Sequence, residues 1–88
     1  MITIKSYFHE GKEYFYINCK EPRAVFEMGS KSSNTNARLL NIDLAEFCKI
    51  LEKCGAVCKI NLNGTNYHTF NNKEDAEIAI TMLKMMCD

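Results

Sequence analysis

Apolar and polar positions alternate over residues 2–9. Ile2, Ile4 and Phe8 fall on one side, and Thr3, Lys5, Tyr7 and His9 on the other. A period of two is that of a half-buried strand. Alternation returns over 13–19, where Phe15, Ile17 and Cys19 oppose Tyr14, Tyr16 and Asn18. Glu10-Gly11-Lys12 lies between the runs, with Gly11 supplying a position of positive φ, so the two runs predict a β-hairpin. A two-residue loop pairs even-numbered with odd-numbered residues and puts both apolar sets on one face.

Pro22 has no N–H for a ladder and breaks the pattern. Ala24–Met28 reads as a short third strand and Arg38–Ile42 as a fourth. The polar run 29–36 between them is long for a hairpin loop and is a candidate contact loop, through Lys31. Asp43 is an N-cap with Glu46 three residues on. Leu44, Phe47, Cys48, Leu51 and Cys54 then form a helical stripe, closed by Gly55. Val57–Leu62 alternates again, and Asn63-Gly64 calls for a type I′ turn. That turn pairs Leu62 with Thr65, Ile60 with Tyr67 and Cys58 with Thr69. Lys59, Asn61, Asn66 and His68 take the other, solvent-facing side.

Asn71 or Asn72 caps a last helix, with Glu74, Asp75 and Glu77 near its positive end. Its apolar positions, from Ala76 to Met86, cover more than half of the circumference. A helix so apolar is core over most of that arc. Met82, Met85 and Met86 are its candidate oligomerisation residues, because methionine faces adapt to partners.

The order is ββββα–ββα. It predicts an α+β fold, with an antiparallel sheet and two helices packed on one face of it. Residues 1–88 make a single domain, because so short a chain builds one small core. The first 54 residues read as one ββββα unit, and 56–87 as a shorter ββα echo.

Eleven basic residues balance eleven acidic ones. A neutral chain argues against a dedicated duplex-DNA binder, which needs a basic footprint. No run approaches a membrane span, and the N-terminus lacks the basic and apolar regions of a signal peptide, so a cytoplasmic protein is expected. The five cysteines are then reduced thiols, and most read as small buried hydrophobes. Cys54, Cys58 and His68 have the spacing of half a zinc site. However, a helix end and a sheet interior place the two thiols apart, so neither a metal nor another cofactor is expected. His9 and His68 each stand on a polar face with no nucleophile at suggestive spacing, and the acids are spread over helix surfaces. The chain therefore reads as a non-enzyme.

The outward side of the first hairpin is the unusual feature. Lys5, Tyr7, His9, Tyr14, Tyr16 and Asn18 share it. Tyrosine gives rigid contact area at low entropic cost and is enriched in interface cores. Two occupants of this side suggest themselves. A helix or the second hairpin covers it, or a partner does.

The run Gly11-Lys12-Glu13-Tyr14-Phe15-Tyr16-Ile17-Asn18-Cys19-Lys20, followed by a strand, a polar loop, a strand and the Leu44–Cys54 helix, resembles the ββββα layout of PUR repeats and Whirly-type single-strand binders. The resemblance implies single-stranded nucleic acid on a strand face, held by Lys5, Tyr7, Tyr14, Tyr16 and Arg23. The residues themselves point first to a small non-catalytic binding protein. It would occlude a protein partner, as inhibitors and regulators of the phage or mobile-element anti-defence type do. The Lys, Asn and Ile bias is that of an AT-rich coding genome and is compatible with such a source. A single-stranded nucleic-acid module and a homodimeric structural module are the alternatives.

Overall fold

The computed structural model describes residues 2–19, 23–28 and 36–87. Along the chain run β1 (Thr3–His9), β2 (Lys12–Asn18), β3 (Val25–Met28), β4 (Asn36–Leu39), α1 (Leu44–Lys53), β5 (Cys58–Leu62), β6 (Thr65–Phe70) and α2 (Lys73–Met85). The fold is α+β. β1, β2, β6 and β5 form an antiparallel sheet in that spatial order, and both helices lie on one face of it.

Both hairpins follow their turns. Glu10 and Gly11 have φ of 50° and 78°, and Asn63 and Gly64 have 54° and 83°. Positive φ at both central positions is the type I′ geometry, whose twist matches that of paired strands. It sets His9 opposite Lys12 and Ile4 opposite Ile17 in the first hairpin. It sets Leu62 opposite Thr65, Ile60 opposite Tyr67 and Cys58 opposite Thr69 in the second. The Asn61 side chain fastens the second turn, accepting from the Gly64 N–H at 3.2 Å and donating to Asn66 Oδ1 at 2.9 Å.

The hairpins meet along a short β2–β6 ladder, Phe15 opposite Phe70 and Tyr16 opposite Thr69. This register puts Phe15, Ile17 and Phe70 on the helix side, where Phe47, Ile50, Leu51, Ala76, Ala79 and Leu83 close the core. The four N-terminal strands do not form one meander. β3 and β4 pair with each other as a separate ribbon, and β2 gives its second edge to β6. The ribbon caps the core through Phe26 and Leu40, which are fully buried. Leu40 N donates to Ala24 O at 2.9 Å and bridges to Cys87, whose carbonyl also accepts from Arg38 Nη2 at 3.0 Å. The expectation of one ββββα unit therefore gives way to a hairpin, a capping ribbon and a helix.

α1 is capped as its sequence foretells, with Asp43 Oδ1 accepting from the Glu46 N–H at 2.7 Å and Gly55 at φ 99° beyond the end. Asp43→Ala is expected to cost about 1 kcal/mol in chemical denaturation. An unchanged midpoint would show that packing alone holds this end. The buried stripe is rotated from the expected one. Phe47, Ile50 and Leu51 are buried, Cys48 is half-buried, and Leu44 is 59% exposed. Its position in the first turn carries Leu44 past the core. α2 starts at Asn72, whose Oδ1 accepts from the Asp75 N–H at 2.8 Å. It turns Ala76, Ala79 and Leu83 inward and leaves Ile78, Met82, Met85 and Met86 outside. The wide apolar arc is thus split between core and surface. No helix among the described residues is long and apolar enough to cross a membrane.

Candidate binding face

Strand alternation and register place Thr3, Lys5, Tyr7 and His9 of β1 beside Lys12, Tyr14, Tyr16 and Asn18 of β2. The β2–β6 ladder extends this surface to Tyr67 and Thr69, and the second hairpin adds Cys58 and Ile60. The helices occupy the other side, so neither helix covers the tyrosines. The second hairpin buries Tyr16 against its Tyr67 and leaves Tyr7 and Tyr14 half-buried. It continues the same face and contributes a fourth tyrosine.

The four rings have different roles. Tyr16 and Tyr67 are 9% and 5% exposed and lean on each other, with centroids 4.9 Å apart and planes tilted by 48°. They brace the face from within. Tyr7 and Tyr14 stand directly opposite each other across the hairpin and are half-buried. His9 stacks on Tyr7 at 6.2 Å and 14°, and Lys12 Nζ lies 5.1 Å over the Tyr14 ring. Lys12 Nζ also donates to Asn71 Oδ1 at 3.0 Å, which ties the hairpin tip to the residue before the α2 cap. These neighbours hold the two outer rings in place before anything binds.

A groove of about 300 Å³ runs between Tyr7, His9 and Tyr14 on one side and Cys58, Lys59, Ile60 and Asn61 on the other. Its two walls come from opposite edges of the sheet, so the face is concave. Charge is segregated across the sheet. The one carboxylate within its four strands, Glu13, lies opposite Phe8, on the helix side. The tyrosine face carries Lys5 and Lys12 and no acid from these strands, and the Glu10 carboxylate of the turn lies 3.9 Å from His9 Nε2 at its tip.

Of the expected contact residues, Lys5 and His9 are exposed, Tyr7, Tyr14 and Asn18 are half-buried, and Tyr16 is buried. Lys31 lies outside the described residues. Met82, Met85 and Met86 are on the remote side of α2. Tyr67 was legible as a partner of Ile60. Its place among the other tyrosines depends on Phe15 facing Phe70, which no local pattern specifies.

His68 is not on a solvent face. It is 8% exposed, because β6 is an interior strand and α1 crosses that side. Its Nε2 lies 3.3 Å from Glu52 Oε1. A cleft of about 370 Å³ between α1 and the sheet brings His68 and Cys48 to common walls with Ile17, Leu44, Phe47 and Leu51. Among the described residues, no hydrogen bond joins Cys48 to His68, the contact that an activated thiol needs. No group of three or more His, Cys, Asp or Glu side chains among them is placed to hold a metal ion.

The thiols also differ from expectation. Cys58 is exposed, because β5 is an edge strand rather than sheet interior. Cys87 is buried, and Cys19, Cys48 and Cys54 are half-buried. Cys54 Sγ donates to Met82 Sδ at 3.3 Å. Burial pushes its pKa above the ordinary thiol value, and the Asp75 carboxylate pushes the same way. Only the thiolate reacts with alkylating agents. Under limiting iodoacetamide at mildly alkaline pH, mass spectrometry is expected to find Cys58 modified first, Cys54 later and Cys87 last. Early labelling of Cys87 would contradict the described packing.

No protein-family model, curated protein or solved structure matches this chain.

Proposed function

We propose that this chain is a small non-catalytic binding protein that covers a surface of a protein partner with its concave tyrosine face. The observation that carries the reading is the pair Tyr7 and Tyr14. They are opposed, half-exposed, braced by His9 and Lys12, and set on a face free of strand carboxylates. Rigid aromatic anchors in a desolvated centre supply most of the energy of such interfaces, and the cationic rim sets orientation and partner choice. The complementary surface is therefore apolar at its centre and acidic around it. A chain that covers its partner with such a face acts by occlusion. That is the role of an inhibitor or regulator in the cytoplasm, and the anti-defence proteins of phages and mobile elements are of this kind.

The same rings and lysines admit single-stranded nucleic acid as a second reading. Two features favour protein. Tyr16 and Tyr67 are buried, which leaves two rings rather than a track for successive bases. Lys12, one of the few cations of the face, is already engaged with Asn71 and Tyr14. Anisotropy of labelled single-stranded oligonucleotides at low salt separates the two. No measurable binding is expected, whereas salt-sensitive binding lost in Tyr7→Ala/Tyr14→Ala would replace the protein reading with the nucleic-acid one.

A further inference from the structure

We propose that the outer face of α2 pairs with the same face of a second copy of this chain, the two helices antiparallel about a two-fold axis near Thr81 and Met82. Ile78, Met82, Met85 and Met86 are 54%, 41%, 79% and 36% exposed. Spaced at i, i+4, i+7 and i+8, they make one stripe that runs from Ile78 and Met85 on the outer side of the helix round to Met82 and Met86 beside α1. Thr81, at the edge of this stripe, donates its hydroxyl to Glu77 O at 2.9 Å, so its one proton is already satisfied within the helix.

Charge identifies the occupant. Glu77 and Lys84 flank the stripe on the same side, seven residues apart, and neither forms an ion pair among the described residues. A two-fold axis lying across the stripe keeps each flank on its own side and reverses the helix direction. Glu77 of one copy then comes within about 3 Å, along the helix axis, of Lys84 of the other, and this occurs twice. The same operation sets Ile78 against Met85 of the second copy. Parallel packing lacks this match. Antiparallel helix dipoles favour the same arrangement. The surface is thus complementary to itself, as an isologous contact requires.

A groove of about 520 Å³ continues the stripe toward α1, with Ile50, Met82 and Met86 between the stems of Lys49 and Lys53. Three helical turns cover less than the ~800 Å² per partner of a standard interface. The association is therefore weak and concentration-dependent. It leaves the tyrosine face free, because α2 lies on the other side of the sheet, so it neither needs nor excludes the binding reading above.

Sedimentation equilibrium of the full chain over a concentration series is the test. The wild-type chain is expected to dimerise at the highest concentrations, and Met85→Glu to remain monomeric. Glu77→Lys and Lys84→Glu are each expected to weaken association by about tenfold, since each replaces two attractive pairs by repulsive ones. The combined variant is expected to recover it. These side chains lie outside the core, and circular dichroism verifies that each variant is folded. A wild-type monomer throughout, a dimer indifferent to Met85→Glu, or a combined variant weaker than the single ones would each overturn the proposal.

Discussion

Phe70→Ala is expected to remove about 3–5 kcal/mol of stability, out of roughly 4–13 kcal/mol for a domain of this length. Phe70 is fully buried. It ends β6, faces Phe15 across the short ladder that joins the hairpins, and precedes the Asn72 cap of α2. Truncation leaves a cavity at the point where sheet and helix meet, and the neighbours on both sides are backbone-anchored and relax little. Phe8→Ala is the control. Phe8 alternates with the same helix-facing set, but it lies near the hairpin tip beyond the helices and is 68% exposed. Its truncation is expected to cost less than about 0.5 kcal/mol. Equal losses for the two in urea denaturation would mean that the core is not centred where the helices place it.

That pair also shows what the sequence discloses and what it does not. By alternation Phe8 falls with the apolar set of its strand and Phe70 with His68 on the polar side of the second hairpin, yet Phe8 is exposed and Phe70 buried, and only tertiary packing reverses them. Features governed by a few neighbouring residues are legible. Asn63-Gly64 determines a turn, the turn determines a register, and Ile60 meets Tyr67 as a result. Asp43 and Asn72 cap their helices for equally local reasons. What a strand pairs with beyond its hairpin is not local. β2 could have continued to β3, but β6 brings Phe70 to Phe15 and β3 takes Phe26 to the far end of the core. His68 follows from the same event. A polar position on an isolated hairpin becomes an interior one once β6 is flanked on both sides and roofed by α1. The tyrosine face was half legible. Lys5, Tyr7, Tyr14 and Asn18 follow from the first hairpin alone, while the burial of Tyr16 and the arrival of Tyr67 depend on the β2–β6 register.

Tyr7→Ala/Tyr14→Ala carries the second large expected effect. The pair is expected to lower affinity for the protein partner by about 2–4 kcal/mol, roughly a 30- to 1,000-fold loss. The cost in stability should be small, about 1–2 kcal/mol, because a cross-strand aromatic pair on a half-exposed face contributes little to folding. Tyr16→Ala reverses this balance. Its ring is buried against Tyr67, so its removal should lower stability first and binding only through that loss. Lys5→Glu leaves the rings in place and puts a carboxylate on a face whose strands carry none. It should slow association with an acidic partner, and added salt should narrow the difference from wild type.

The most direct test of the binding face is quantitative capture of the partner from the source cells by three immobilised proteins, each verified as folded: wild type, Tyr7→Ala/Tyr14→Ala, and Met85→Glu. A specific protein is expected to be retained equally by wild type and Met85→Glu and lost from the tyrosine variant. Equal recovery by all three would show that the concave tyrosine face is not where this protein binds.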